Sequence, residues 1–297
     1  MSSTRAVHDL ICFSHLRWNF VFQRPNHLMT LCSARRRVFF FEEPMVGEVG
    51  SGRLDVTEIT PQLMVAVPRP TPGQDPVEGA MNALLELCSR YQIQRPIAWF
   101  YTPMALQFAR DLPVALTIYD CMDELSAFRG APPELRQLER ELFAKADLVF
   151  TGGPSLCRAK QSAHHAVLCF PSSVDVAHYA SARTPRPDPV DQAGIGRPRL
   201  GFFGVIDERM DLELLAAIAA ARPHWQLIML GPIVKIDPNM LPRLPNIHYL
   251  GQKQYAELPA YLAGWDVALM PFALNESTRF ISPTKTPEYL AGGRPVV

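Results

Sequence analysis

Ser282-Pro283-Thr284-Lys285-Thr286-Pro287-Glu288-Tyr289-Leu290-Ala291-Gly292-Gly293-Arg294-Pro295-Val296-Val297 reads as a loop, one helix, a glycine stop and the opening of a strand. Pro287 is tolerated near the helix start, where first-turn amides have no helical acceptor. Those amides, the hydroxyls of Ser282 and Thr284 and the charge of Lys285 make an anion site at the helix N-terminus. Glu288 follows Lys285 by about one turn, on the same face. A carboxylate there can accept hydrogen bonds from a pair of sugar hydroxyls. A phosphate site beside a hydroxyl site is what a nucleoside diphosphate needs. Taken alone, the same residues fit equally a surface Lys–Glu pair beside an ordinary capped helix.

Upstream, short apolar runs alternate with segments of helical period. Strands are expected at Leu10 to Phe13, Val38 to Phe41, Leu63 to Val67, Ile97 to Tyr101, Ala115 to Tyr119, Leu148 to Phe150 and Val167 to Phe170. Helices are expected at Arg24 to Ala34, Val77 to Tyr91, Pro133 to Lys145 and from about Pro154. Runs that are apolar at every position suit strands buried on both faces of a parallel sheet. A second series follows, with strands at Leu200 to Phe203, Gln226 to Leu230, Ile247 to Leu250, Val267 to Met270 and opening at Pro295. Its helices are expected at Asp211 to Ala221, Tyr255 to Ala263 and Thr286 to Ala291. The rhythm predicts an α/β fold of two Rossmann-like parallel-sheet domains facing a cleft. Thr184 to Pro198, rich in proline and glycine, cannot hold a helix or inner strand and is the expected linker. The domains are then 1–183 and 199–297.

With 297 residues, 48% of them hydrophobic and 20% charged, the chain has material for two cores. Lys+Arg and Asp+Glu each number 29, a balance that argues against a nucleic-acid binder. The six cysteines form no C-x-x-C pair, and no histidine cluster has metal-ligand spacing. They read as reduced core residues of a cytoplasmic protein. No signal-peptide core or run of ~18 apolar residues occurs. Arg35-Arg36-Arg37 is too short to establish peripheral contact with the inner face of a membrane, and it leaves that contact open.

The pattern S-P-x-K-x-x-E-Y-x-A-x-G-x-P-V-V resembles the donor-site signature in the second domain of GT-B glycosyltransferases, of the family-4-like bacterial type that builds envelope polysaccharides. The resemblance implies that Lys285 approaches a diphosphate and that Glu288 binds ribose hydroxyls. It extends to L-G-F-F-G-V-I-D-E-R at Leu200 to Arg209, where Gly204 would let the backbone approach phosphates. Arg209 stands as the basic residue supporting the diphosphate. Two departures are plain. The first Glu of the family's E-x7-E pattern would fall at Phe280, with Glu276 and Arg279 just upstream, and Val205 follows the glycine where Arg is usual.

In the first domain, Ser14-His15-Leu16-Arg17-Trp18 follows a strand, and Phe22-Gln23-Arg24-Pro25-Asn26-His27-Leu28 resembles the W-x-x-x-x-Q-R-P-x-H-L opening of the same group. Loops after the carboxyl ends of parallel strands build the ligand crevice. His15, Trp18 and Arg24 are therefore the expected acceptor-side residues, Trp18 stacking on a sugar and Arg24 meeting an anion. Core packing explains Trp18 equally. Tyr119-Asp120-Cys121-Met122-Asp123-Glu124 also follows a strand. Asp123, then Asp120, is the expected general base, against the plainer reading of capping carboxylates. This segment is not a D-x-D metal motif, and the resemblance implies no cofactor and no catalytic metal.

The expected function is sugar transfer from a nucleotide-sugar donor to an acceptor hydroxyl on a glycan or lipid-linked acceptor. A nucleotide-sugar 2-epimerase on the same scaffold and an inactive nucleotide-binding fragment are the alternatives. A dinucleotide oxidoreductase is discarded, because Phe13 to Arg17 has no glycine. The resemblance also implies that the second domain stops short of its full length, with reduced stability and little activity expected.

Overall fold

A computed structural model describes residues 7–46, 53–128, 130–275 and 278–297. Residue contacts divide the chain into two units, Met1–Pro171 and Ser172–Val297.

The first unit is built on a sheet of eight strands: β1 (Leu10–Ser14), β2 (Val38–Glu42), β3 (Arg53–Thr60), β4 (Leu63–Arg69), β5 (Ile97–Phe100), β6 (Leu116–Cys121), β7 (Leu148–Thr151) and β8 (Val167–Cys169). Their order is β3-β4-β2-β1-β5-β6-β7-β8. Every neighbouring pair is parallel except β3 and β4. β1 and β2 are buried at all positions, as their unbroken apolar runs demand. The chain builds outward from β1 in one direction through β2 and β4, and in the other from β5 to β8. The reversal lies between β1 and β5, where open α/β sheets form their crevice.

The second unit repeats the plan on a smaller scale. β9 (Arg199–Phe203), β10 (Gln226–Leu230), β11 (Ile247–Gly251) and β12 (Val267–Ala268) form a parallel sheet in the order β11-β10-β9-β12. Val296 bridges Ala268 in parallel, so the strand expected at Pro295 begins on the far side of β12. The reversal here lies between β9 and β12.

Three expectations need correction. β3 was not anticipated. Its sequence mixes charge with β-branched residues, and along it only Leu54 is buried, which is the mark of an antiparallel edge strand rather than a core strand. Cys169 is exposed rather than buried, because β8 closes the sheet edge and leaves Leu168 and Phe170 about half exposed as well. The stretch expected as a linker belongs to the second unit, and the division falls at Pro171/Ser172. Within that stretch Val190–Ala193 forms one helical turn after Pro189, where proline is compatible with a helix start. Gln192 on that turn is fully buried. It accepts a hydrogen bond from Trp265 Nε1 at 2.9 Å and donates to Tyr261 O and Asp188 Oδ1, both at 3.2 Å. Arg199 extends the tie with a 2.7 Å ion pair to Asp188.

Replacing Gln192 by Ala orphans the buried indole N–H and the Tyr261 carbonyl, at a cost of about 1–3 kcal/mol. Denaturant unfolding of Gln192→Ala should show a lower midpoint. An unchanged midpoint would mean the proline-rich stretch is not integral to the second core.

Candidate functional site

In the second unit, the loop at the carboxyl end of β9 and the helix Lys285–Ala291 come together. Tyr289 is fully buried and ties them. The Phe203 N–H at the end of β9 donates to Tyr289 Oη at 3.1 Å, and the Tyr289 ring packs edge-on against Phe203 and Trp265. Lys285 lies one turn before Tyr289, so it shares the face turned to β9. Gly204, the next residue, has φ +146°, and a Cβ built there would collide with Lys285 Cε. The φ of Gly204 is one that L side chains rarely adopt, and the end of the lysine side chain fills the space a Cβ would take. Lys285 Nζ is 5.8 Å from the centre of the Phe202 ring. Gly231, at the end of β10, has φ +140° and abuts the Gly204 carbonyl. The ends of two adjacent strands are thus bare backbone beneath an ammonium group.

The Tyr179 and Thr284 hydroxyls lie near Glu288. Burial pushes its pKa up, and the nearby Lys285 opposes that shift. Tyr179 is buried, and its own pKa is raised first by burial and then by the Glu288 charge. Ser282 is tied to Ser172. Its hydroxyl accepts from Ser172 N at 3.4 Å and its carbonyl accepts from Ser172 Oγ at 2.5 Å, so it clamps the loop in place. Arg209 is forked onto Asp207, at 2.6 Å for the closest pair, which ties the expected diphosphate arginine into the loop after β9. Glu276 lies outside the described residues.

In the first unit, the structure reassigns Asp120. It is fully buried at the end of β6, where a general base could not meet an acceptor. Arg24 Nε donates to Asp120 Oδ2 at 3.1 Å and Arg24 Nη1 to Phe170 O at 2.9 Å. Burial raises the Asp120 pKa and Arg24 opposes it. Trp99 Nε1 and Tyr101 Oη lie close to this carboxylate but do not align well enough to bond to it. Asp120 therefore positions Arg24. Asp123 is only partly covered, on the turn after β6, its carbonyl facing Cys121 Sγ at 3.6 Å. Trp18 is also corrected: it is a core residue, edge-on to Phe40 at 5.0 Å. Its backbone N–H donates to Glu42 Oε1 at 2.7 Å, and Arg17 meets the other Glu42 oxygen at 2.9 Å. Those two bonds fasten the β1 loop and leave Trp18 no open face for stacking. His15 follows directly on Ser14, half-buried.

No protein-family model matches the chain. Over 101 residues it is 32% identical to the putative teichuronic acid biosynthesis glycosyltransferase TuaH of Bacillus subtilis (strain 168). That match spans 33% of this chain and 25% of the relative. Among solved structures, sucrose-phosphate synthase of Thermosynechococcus elongatus superposes with a TM-score of 0.67 at 15% identity, over 98% of this chain and 80% of that one. Anabaena HepE in complex with UDP and glucose gives 0.65 at 16% identity, over 97% and 79%. The fold is GT-B.

Beside the candidate site, Tyr179 and Tyr289 are the neighbours to which sequence reading gave no role. Tyr289 carried a signal, since an aromatic one turn from Lys285 shares its face. Tyr179 carried none, because only folding brings it to Glu288.

Two outcomes follow from these charges. Arg24→Ala leaves a buried carboxylate unpaired and should cost about 3–5 kcal/mol, a loss that shrinks at acid pH as Asp120 takes up a proton; Asp120→Asn should cost less. Calorimetric unfolding across pH checks this, and equal effects of the two variants would refute the pairing. For Glu288 the folded pKa is raised, so the native state holds the proton more tightly and stability falls as pH rises through the carboxylate range. Glu288→Gln should therefore raise Tm at neutral pH, with the advantage vanishing towards pH ~4.

Proposed function

We propose that this chain is a glycosyltransferase whose second unit holds a nucleoside diphosphate sugar and whose first unit serves the acceptor. The observation that carries the reading is the Lys285 ammonium held against Gly204 at the end of β9. A diphosphate laid there meets a cation and glycine backbone with no side chain in the way, and Glu288 waits one turn further for a pair of ribose hydroxyls. The position is the switch point of the second sheet, the ordinary place for a nucleotide in an open α/β unit. UDP and glucose bound to HepE, and the assignment of TuaH to teichuronic acid synthesis, favour a UDP-linked sugar and an envelope polysaccharide.

In this reading the bond between the anomeric carbon and the diphosphate breaks while the acceptor oxygen bonds to that carbon. Lys285 steadies the negative charge that builds on the leaving diphosphate. Asp123, the less buried of the two expected carboxylates, is the candidate to take the acceptor proton. Gly204 keeps the lysine close to the strand end, and Tyr289 fixes the helix that carries it. The reading places the protein in the cytoplasm, where nucleotide sugars are available as donors. Among the described residues no helix is long and apolar enough to cross a membrane.

Thermal unfolding with UDP, GDP and ADP tests the donor site. Ligand at about 100 times its Kd stabilises by ~2.7 kcal/mol, so saturating UDP should raise Tm by several degrees. Lys285→Ala removes a charge-assisted bond worth about 1.5–3 kcal/mol and should weaken UDP at least tenfold. An undiminished shift in that variant sinks the site. Product analysis with labelled UDP-sugar then separates transfer from epimerisation.

A further inference from the structure

A cavity of about 310 Å³ opens in the first unit at the carboxyl ends of β1, β2 and β5. It sits at the switch point of that sheet, and its volume is at the small end for a small-molecule site. Phe108, Pro44, Pro76, Val77 and Met104 give its lining apolar surface, and Phe13 and Phe41 back Phe108 from beneath, with ring centres 6.0 Å and 5.7 Å from it. Phe13 and Phe41 are fixed in strands and fully buried, so they hold Phe108 in place rather than face the cavity.

The polar side chains on the wall are mostly committed elsewhere. Ser14 Oγ donates to Leu16 O at 3.1 Å. Thr102 Oγ1 accepts from Met104 N at 3.2 Å. Both oxygens of Glu42 are taken by Arg17 and the Trp18 amide. The Glu43 carboxylate and the Gln107 amide also line the cavity and make no side-chain hydrogen bond to another described residue, and Thr102 keeps its O–H to donate. Burial raises the Glu43 pKa, with Arg17 opposing the shift. The Arg17 guanidinium is itself occupied by Glu42 and by the carbonyl of Glu43.

We propose that this cavity receives an uncharged alkyl or aryl body of the acceptor, with one hydroxyl hydrogen-bonded to Glu43; the acceptor role rests on the transfer reading above. The lining selects against other chemistries inside this cavity. A bare glycan brings many hydroxyls, and these few polar groups cannot satisfy them once water is expelled. A lipid phosphate brings negative charge to a wall carrying Glu42 and Glu43, where the nearest arginine is already bonded. An apolar group against Phe108, Val77, Met104 and the prolines of the wall loses water at no polar cost.

Direct binding measurements on the full chain, without any donor, test the proposal. The probes are n-octyl β-D-glucoside below its micelle concentration, n-octyl phosphate and maltose. The glucoside should bind at least tenfold more tightly than either of the others. Val77→Trp, which fills the cavity from its wall, should weaken the glucoside at least tenfold, with an unchanged UDP-induced Tm shift showing that the variant is folded. Glu43→Gln should narrow the gap between glucoside and phosphate. Equal binding of maltose or octyl phosphate, or a Val77→Trp variant that binds the glucoside as before, overturns the proposal. Glucoside binding that survives while UDP produces no shift supports the apolar specificity and overturns the donor reading alone.

Discussion

The second unit depends on one hydrogen bond between a strand end and a helix. The Phe203 amide is the last of β9, and its donor is buried. A buried N–H without a partner costs about 1–3 kcal/mol. Tyr289 Oη supplies the partner, and its ring fills the space between Phe203 and Trp265. Once that ring is seated, the rotation of the short helix about its axis is set. Lys285 is then delivered over Gly204, because the two residues share a face one turn apart. The position of the cation is thus a consequence of core packing, not of the lysine's own preferences. A flexible lysine on a free helix would sweep a wide volume. Here its stem is confined by backbone that no side chain interrupts.

Much of this was legible beforehand, and the failures are instructive. Strands such as β1, β2 and β9 announced themselves because burial on both faces leaves no choice but an unbroken apolar run. β3 escaped because an edge strand needs only one apolar face and wears charge on the other. The proline-rich stretch misled for a different reason. Proline and glycine report on backbone freedom, while the fate of residues 184–198 was decided by Gln192 finding the indole of Trp265, a partner far along the chain.

The same limit explains the site. Lys285, Glu288 and Gly204 are tied by local spacing and by backbone geometry, and both are written in sequence. Trp18 and Asp120 are not of that kind. A tryptophan beside a strand end can face the crevice or the core, and the choice was made by Phe40 and by Glu42 capturing the neighbouring amide. An aspartate at a strand end can serve solvent or a buried cation, and Arg24 settled it. In each case the deciding partner sits on another element. Sequence can place such a residue near a crevice but cannot say which way it turns.

The charges in the two units are handled in opposite ways. Asp120 is sealed and neutralised by Arg24, which makes it a structural anion with a fixed partner. Glu288 is partly covered, with Lys285 one turn away, and burial raises its pKa while the lysine opposes the shift. A group in that condition gains most from a ligand that brings hydroxyl donors with it, because each donor replaces a water already lost. In the proposed donor reading, the cost of holding Glu288 there in the free protein is recovered when ribose hydroxyls bind.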